Sequence, residues 1–439
     1  MKKHNFRQLL LTISVFAIVS TAGADTVIHI SGSTAFRAST ITAIGNIMGG
    51  GTFKAAFEGP GQNYKEATYV VMQGTVPSVP SGGVVTVKCS WAGSVAGIKA
   101  LVQNLDITLT PASRGWMSIT NLPSTNTIVS ETPASFVLDT GAFPGETLKA
   151  DVTTSDSTQA STFFTTTTLA ETRVAVVPFE WVANNGSPAT LNNISALQAQ
   201  ALFSGGMPLF QFTTNPADTI AVYGMGRDFG SGERLSCLAE TGVGIFGAAY
   251  HIFPTISGTA GAAGSLIRTL KLWPAQTVLG QPFAIGYSGY AGGGALADAL
   301  ATPGSSTAAT PSGADGVLFG PGWLIGYLGR NDAARACRRT SIATNTAHRM
   351  KWNGVADWNG SIGSNGVPSF YNNSVIQNGL YTAWEYEYLS YRSTYSGNGR
   401  AVADKIANNI INETASVSGI FLNTMNVSRV IEGGIVTPL

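Results

Sequence analysis

The feature that most constrains this chain is a glycine-rich segment between a strand-like run and a helix-like run. The strand-like run covers residues 219–223, and the segment at 226–234 reads Gly-Arg-Asp-Phe-Gly-Ser-Gly-Glu-Arg. Leu235, Leu238 and Ala239 then fall on one face of a predicted helix. Such a turn brings free backbone N–H groups and the positive end of a helix dipole together, so the segment predicts an anion site.

Two side chains of this segment suit an oxyanion. Arg227 offers a planar fork of N–H donors that matches a tetrahedral oxyanion. Ser231 can cap the helix or donate to a ligand. A tight turn with a surface arginine is the simpler interpretation, because glycine-rich turns are common. The same order of strand, turn and helix recurs at residues 27–48 and 84–105, and this recurrence favours the anion site.

The N-terminus predicts export. Positive charges at its start precede an apolar run over residues 9–19 and a small-residue motif at 22–24, which is the pattern of a signal peptide over 1–24. The mature protein is expected to begin near Asp25 and to be periplasmic or secreted. The formal net charge of the chain is only +1 and no basic stripe is present, which argues against nucleic acid as a partner.

Alternating strands and helices predict an α/β protein with open sheets, in which ligands bind beyond the carboxyl ends of the strands. Residues 106–149 are rich in Thr, Ser and Pro and are expected to form a β-rich or loop insertion. Residues 242–275 are expected to mix helix and loop, and residues 283–287 to form a strand. Residues 381–388 contain an aromatic run that is more typical of a core than of a binding surface.

The cysteines and histidines give little sign of chemistry. Three cysteines leave at least one thiol unpaired. Cys89 is expected to be a buried free thiol, and Cys237 with Cys337 is the expected pair if a bridge forms. The histidines lack metal-ligand spacing, and no serine has glycine at both the second position before it and the second after it. The sequence therefore predicts a protein that is not an enzyme and has no metal or cofactor.

Four short segments, taken in order, carry a family resemblance. They are Gly-Ser-Thr-Ala-Phe at 32–36, Gly-Ser-Val-Ala-Gly-Ile at 93–98, Ser-Asp at 155–156 and Arg-Asp-Phe-Gly-Ser-Gly-Glu at 227–233. They resemble the ligand loops of the phosphate-binding component of bacterial ABC importers, a type 2 periplasmic (solute) binding protein. The similarity spans most of the chain and is thin between these segments.

The resemblance implies a two-lobed type 2 fold, with open mixed sheets, helices on both faces and a hinge of two crossing segments. Lobe 1 would comprise residues 25–170 and 345–439, and lobe 2 residues 171–344. The protein would be a monomer that captures inorganic phosphate, or a related oxyanion, in the cleft between the lobes and delivers it to a membrane permease. The resemblance assigns the ligand to Ser33, Thr34, Ala35, Ser94, Asp156, Arg227, Ser231 and Gly232.

Asp156 would give this site its selectivity. Phosphate near neutral pH keeps at least one proton, which an ionised carboxylate can accept. Sulfate has no proton to give and would be repelled, so Asp156 would reject it electrostatically rather than by shape.

The chain departs from the family pattern in several places. Glu233 stands where the family has threonine, and its carboxylate would repel a bound anion at close range. Either Glu233 turns outward to pair with Arg234 or Arg37, or it points inward and the ligand is not a plain phosphate dianion. The first loop is one residue longer than usual, so either Ala35 or Phe36 supplies its backbone donor. Two other functions stay open at this point: a secreted phosphoesterase-like enzyme, and a surface or adhesion protein that reuses the fold.

Overall fold

The computed structural model describes most of the chain. The described residues are 25–58, 63–77, 79, 83–104, 115–131, 149–304, 318–319, 322–338 and 347–439. The predicted signal peptide and much of the predicted 106–149 insertion lie outside these ranges, so both stay predictions. No helix within the described ranges is long and apolar enough to cross a membrane.

Nine α-helices lie within the described residues. In chain order they are α1 Arg37–Ile47, α2 Ser94–Gln103, α3 Ala196–Leu202, α4 Phe210–Thr213, α5 Gly232–Glu240, α6 Gly293–Ala301, α7 Arg330–Ala336, α8 Asn373–Gln377 and α9 Gly397–Asn409. Short helical turns of other types cover Ile119–Asn121, Gln159–Ser161, Ile410–Thr414, Ala415–Val417 and Leu422–Thr424.

The strands alternate with these helices. The first eleven are β1 Thr26–Gly32, β2 Lys54–Glu58, β3 Tyr69–Thr75, β4 Val84–Ser90, β5 Ile128–Glu131, β6 Val152–Ser155, β7 Leu169–Ala183, β8 Asn193–Ile194, β9 Met207–Pro208, β10 Ala221–Gly224 and β11 Ile252–Ser257. The others are β12 Leu266–Leu272, β13 Gln276–Val278, β14 Gln281–Phe283, β15 Leu318–Phe319, β16 Gly322–Gly329, β17 His348–Trp352, β18 Trp358–Ile362, β19 Pro368–Tyr371, β20 Trp384–Arg392, β21 Val427–Ser428 and β22 Thr437–Pro438.

One large mixed sheet organises the described part of the chain. Its main path runs β5-β2-β3-β4-β1-β6-β20-β7-β16-β10-β9, with β17 and β8 joined at the side. Strand β1 lies parallel to both β4 and β6, and β10 lies parallel to β16. The antiparallel pair β7 and β20 lies in the middle and connects the two halves of the sheet. The predicted α/β class with an open mixed sheet is confirmed.

The sheet is buried because its central strands are apolar on both faces. Val174 to Ala183 of β7 are all buried, and Trp181 and Trp384 are 1% exposed. A buried run that is apolar apart from Glu180 is typical of a strand covered on both sides. The aromatic run at 381–388 forms part of the same core, as the sequence predicted, with Tyr381 fully buried.

All three cysteines are buried free thiols, which confirms the expectation for Cys89, and the Cys237–Cys337 pair, expected only if a bridge forms, is not bridged. Two local expectations about secondary structure are wrong. The stretch expected to mix helix and loop contains the antiparallel pair β11 and β12, which the β-branched and aromatic residues Ile252, Phe253, Thr255 and Ile256 favour. The strand expected at 283–287 ends at Phe283, because the chain turns at Gly286 with a φ of 88°.

Candidate functional site

Three of the sequence-predicted loops meet at one buried point between the halves of the sheet. Strand β6 ends directly before Asp156, and the turn after β4 places Ser94 at the start of α2. Strand β10 leads into the loop of Arg227, which continues into α5 at Gly232. The carboxyl ends of β4, β6 and β10 therefore deliver their loops to a common place, as the α/β pattern predicts.

Asp156 and Ser94 form a tight pair against the start of α5. The Ser94 hydroxyl donates to Asp156 Oδ1 at 2.5 Å, and the Ser236 hydroxyl donates to the Asp156 carbonyl at 3.1 Å. A Cβ atom on Gly232 would collide with the Asp156 carboxylate, so only glycine permits this approach. Burial raises the pKa of Asp156 to about 6, while Ser94 and then Arg227 act in the opposite direction.

Arg227 is 1% exposed and already holds three acceptors. Its Nε donates to the Tyr290 carbonyl at 3.1 Å, its Nη2 to the Ala291 carbonyl at 2.8 Å and its Nη1 to Glu233 Oε2 at 2.9 Å. Glu233 thus points inward onto Arg227 rather than outward to Arg234 or Arg37. Only one oxygen of Glu233 contacts the guanidinium, since Glu233 Oε1 has no hydrogen-bond partner among the described residues.

Burial and neighbouring carboxyls disfavour the charged form of the Glu233 carboxyl. Burial raises its pKa to about 8, the positive charge of Arg227 opposes this rise, and the nearby carboxyls of Asp332 and Asp156 add to it. At neutral pH the carboxyl is therefore mostly protonated, and a neutral carboxyl holds a guanidinium less strongly than a charged one does.

The backbone donors at the start of α2 are occupied by the Arg227 loop. The Gly230 carbonyl accepts from the backbone N–H of Val95 at 3.0 Å and of Ala96 at 3.4 Å. Ser231 accepts from the Arg234 backbone N–H at 3.3 Å and so caps α5. Of the two roles that the sequence allowed for Ser231, the structure shows the helix cap.

The first loop lies beside this cluster. Ser33 is buried and accepts from the Phe36 backbone N–H at 3.3 Å, while the Phe36 ring packs in the core. Phe36 therefore has its N–H engaged, and Ala35, which packs near Gly329, is the remaining choice for a backbone donor. Thr34 lies on the wall of a cavity.

That cavity fills the cleft in front of the cluster and has a volume of about 1340 Å³. Thr34, Arg37, Trp91 and Lys99 lie on its wall from one half of the sheet, and Asp228, Gly230, Gly293, Asp332 and Arg335 from the other. Asp228 and Gly230 follow Arg227 in the same loop, which places the cavity beside the cluster. Thr34 thus faces the cavity, while Ser33, Ser94, Asp156, Arg227, Ser231, Gly232 and Glu233 are buried behind its wall.

Sequence reasoning missed two acidic members of the site. Glu387 of β20 is completely buried beside Ser33, Thr154 and Asp156, and burial raises its pKa well above the usual value. Asp332 of α7 lies near Glu233 on the cavity side. A glutamate inside the aromatic run was the one available signal for Glu387, since charged residues are rarely buried without a partner. Among the described residues, no cluster of His, Cys, Asp or Glu suits a metal ion.

Comparison with known proteins gives matches in structure alone. No family model and no curated protein matches the sequence. An ABC-type phosphate transport receptor from Vibrio cholerae shares 11% identity, with a TM-score of 0.41, over 90% of this chain and 99% of its own. A human phosphate-binding apolipoprotein shares 11% identity, with a TM-score of 0.41, over 90% and 92%. A phosphate-binding protein from Stenotrophomonas maltophilia shares 13% identity, with a TM-score of 0.34, over 94% and 87%.

Proposed function

We propose that this protein is an exported solute-binding protein that captures inorganic phosphate, or a related oxyanion, at Arg227 in the interlobe cleft and passes it to an ABC-type importer. The observation that carries the proposal is the buried Arg227 guanidinium, whose Nη1 is held by a Glu233 carboxyl that is mostly protonated at neutral pH and that a charged ligand can displace. The Ser94–Asp156 pair beside it supplies a hydroxyl donor and a carboxylate acceptor. The signal-peptide pattern over 1–24 supports export.

Phosphate would enter by displacing Glu233 from Arg227. The Nη1 group, freed from Glu233, would donate to a ligand oxygen, while Nε and Nη2 keep the guanidinium in place through the Tyr290 and Ala291 carbonyls. Asp156, whose pKa of about 6 leaves it mostly ionised at neutral pH, would accept the remaining proton of phosphate. Sulfate offers no such proton, so the same carboxylate would repel it.

Entry also requires the two halves to part. The contacts that would break include the Gly230 carbonyl with the start of α2 and the Lys99 ammonium with the Leu279 carbonyl at 2.7 Å. Strands β7 and β20 connect the halves and would serve as the hinge. The site would then close again with the ligand in place of Glu233.

A second candidate function deserves a test because the same contacts join the halves with protein groups alone. If Gly230 and Glu233 never leave α2 and Arg227, the cluster is a clamp that stiffens a surface or structural protein. In that case Arg227 contributes to the free energy of unfolding but recognises no ligand.

Thermal unfolding of residues 25–439 with added phosphate or sulfate separates these functions. A ligand that binds only the folded state at 100 times its Kd stabilises it by about 2.7 kcal/mol, so phosphate is expected to raise the Tm and sulfate to leave it unchanged. Arg227→Ala is expected to remove the phosphate response. Arg268→Ala, which changes an exposed arginine that donates to the Ser257 hydroxyl, is the matched control and should keep it.

The proposal fails if phosphate leaves the Tm of the unmodified protein unchanged, or if Arg227→Ala responds to phosphate as the unmodified protein does. A lower Tm for Arg227→Ala without ligand, together with no phosphate response in either protein, would establish the clamp instead.

A further inference from the structure

The cavity in front of Arg227 is much larger than a phosphate ion needs. Its volume of about 1340 Å³ exceeds the roughly 300–1,000 Å³ of pockets that hold drug-sized molecules. Gly293, on the cavity wall, lies between this space and the anion site. A Cβ on Gly293 would stand 3.2 Å from Arg227 Nη1, so a group in the cavity needs only a short extension to reach the guanidinium.

Asp332 faces this junction with its hydrogen-bonding capacity unused. It lies in the first turn of α7, is 6% exposed and contributes to the cavity wall. Its carboxyl makes no hydrogen bond to the described part of the chain, although it lies against Gly293 and close to Glu233. A carboxylate only accepts hydrogen bonds, so a ligand that reaches Asp332 from the cavity is favoured if it brings a donor such as a hydroxyl group.

Asp298, on the wall of the same cavity, is a carboxylate whose oxygens both accept hydrogen bonds. Both of its oxygens accept from Arg335, through Nε at 2.7 Å and Nη2 at 2.7 Å. Both oxygens of Asp298 are therefore engaged by a charged donor, whereas neither oxygen of Asp332 accepts a hydrogen bond from the described residues.

The rest of the wall suits a polar organic group with many hydroxyls. Tyr69 and Trp91 contribute aromatic surface, and the buried Trp91 indole Nε1 has no hydrogen-bond partner among the described residues. Asn63, Glu58 and Glu66 add further polar side chains on the same side of the cavity. Such a mixture of apolar surface and a few placed polar groups is typical of small-molecule sites.

We propose that the ligand is a phosphate monoester of a polyhydroxylated compound, a sugar phosphate or polyol phosphate. Its phosphate would bind Arg227, one of its hydroxyls would donate to Asp332, and its carbon skeleton would lie in the cavity. This inference rests on the proposed oxyanion site at Arg227 and adds the class of molecule that carries the oxyanion.

Isothermal titration of residues 25–439 tests this with four probes: inorganic phosphate, glycerol 3-phosphate, glucose 6-phosphate and glucose. At least one ester is expected to bind about tenfold or more tighter than inorganic phosphate, since a hydrogen bond to a charged group contributes that much affinity. Glucose alone is expected not to bind, because it lacks the anion. Arg227→Ala should remove binding of both esters.

Asp332→Asn and Asp332→Ala test the assigned hydroxyl contact. Both are expected to lower the preference for the ester over inorganic phosphate to about threefold or less, because the hydroxyl contact is lost, while the change of charge beside Glu233 acts on both ligands alike. Asp298→Asn is the matched control and should keep the preference. Because asparagine preserves the shape of the side chain, a loss of preference in Asp332→Asn is not explained by a disturbed fold.

The outcomes separate this inference from the proposed function. Equal affinity for the esters and for inorganic phosphate would overturn the sugar-phosphate inference and leave the phosphate site standing. Binding of an ester that Asp332→Asn and Asp332→Ala do not weaken would overturn the role of Asp332. No binding of any phosphate probe would overturn both.

Discussion

Two buried arginine clusters in this protein differ in their balance of charge. The central cluster pairs Arg330 and Arg349 with the carboxylates of Glu180 and Asp357, so positive and negative groups are equal in number. The cleft cluster places Arg227 among the carboxyls of Asp156, Glu233 and Asp332. A balanced cluster can stay fully charged when buried, whereas an acidic excess must hold protons or exchange partners.

The geometry of the central cluster fits a permanent role. Arg330 donates to Asp357 Oδ2 through Nε at 3.0 Å and Nη2 at 2.8 Å, and to Asn373 Oδ1 at 2.8 Å. Its guanidinium also lies 4.0 Å from the centre of the Tyr371 ring. Arg349 forms an ion pair with Glu180 on β7, so the cluster fastens α7 and β17 to the strand that connects the halves. The difference in charge balance thus separates the structural cluster of Arg330 and Arg349 from the cluster of Arg227, at which we propose that a ligand binds.

The largest expected difference between the two arginine clusters is in the free energy of unfolding. Arg330→Ala is expected to lower the free energy of unfolding by about 3–5 kcal/mol, because it leaves the buried Asp357 carboxylate without its partner. Arg227→Ala is expected to cost less, since Glu233 can stay protonated at neutral pH without its arginine. Urea unfolding of both variants measures this. Equal costs, or a larger cost for Arg227→Ala, would break the comparison.

A second effect concerns the discrimination between phosphate and sulfate. Asp156→Asn removes the charge that repels sulfate and supplies an amide donor, so the variant is expected to bind sulfate with an affinity at least about tenfold higher than the unmodified protein. Titration calorimetry with both anions measures the change. Asp228→Asn is the matched control, because Asp228 is also buried with a pKa of about 6 and accepts from the Gly230 backbone N–H. If Asp156→Asn still rejects sulfate, Asp156 is not the selective group.

The smallest of these effects is the pH dependence of phosphate binding. As pH rises through the Glu233 pKa of about 8, this carboxyl ionises, holds Arg227 more strongly and repels the incoming anion. Phosphate affinity is therefore expected to fall about tenfold between pH 7 and 9. Glu233→Gln keeps the side-chain shape and should flatten the profile, while the ionisation of phosphate itself affects both proteins alike. Parallel profiles for the two proteins would remove Glu233 from the site.

Local pattern was sufficient for much of the fold. The strand, turn and helix order around Ser33, Ser94 and Arg227 predicted β1–α1, β4–α2 and β10–α5, because apolar periodicity and glycine turns act over a few residues. The stretch at 242–275 was harder, since short apolar runs broken by glycine fit helix and strand equally well. Hydrogen bonding to a strand that is distant in the chain decides between helix and strand in such a stretch, and a single sequence does not reveal which strands pair.

The sequence predicted which residues come together in the candidate site, but not which hydrogen bonds they form. It predicted that Arg227, Asp156 and Ser94 lie close together, because each follows a strand at the same edge of the sheet. The direction of the Glu233 side chain depends on competition between water, Arg234 and Arg227, which sequence order does not settle. Asp332 and Glu387 come from α7 and β20, far along the chain, and only the folded structure brings them to Arg227 and Asp156.

A crystal structure of residues 25–439 grown with phosphate at pH 6 tests the central claim most directly. The claim predicts a phosphate ion bound to the Arg227 guanidinium, with Ser94 and Asp156 within hydrogen-bond distance and the Glu233 carboxyl moved away from the 2.9 Å contact that it makes here. A structure in which Glu233 stays on Arg227, and no anion lies between Arg227 and Asp156, would contradict it.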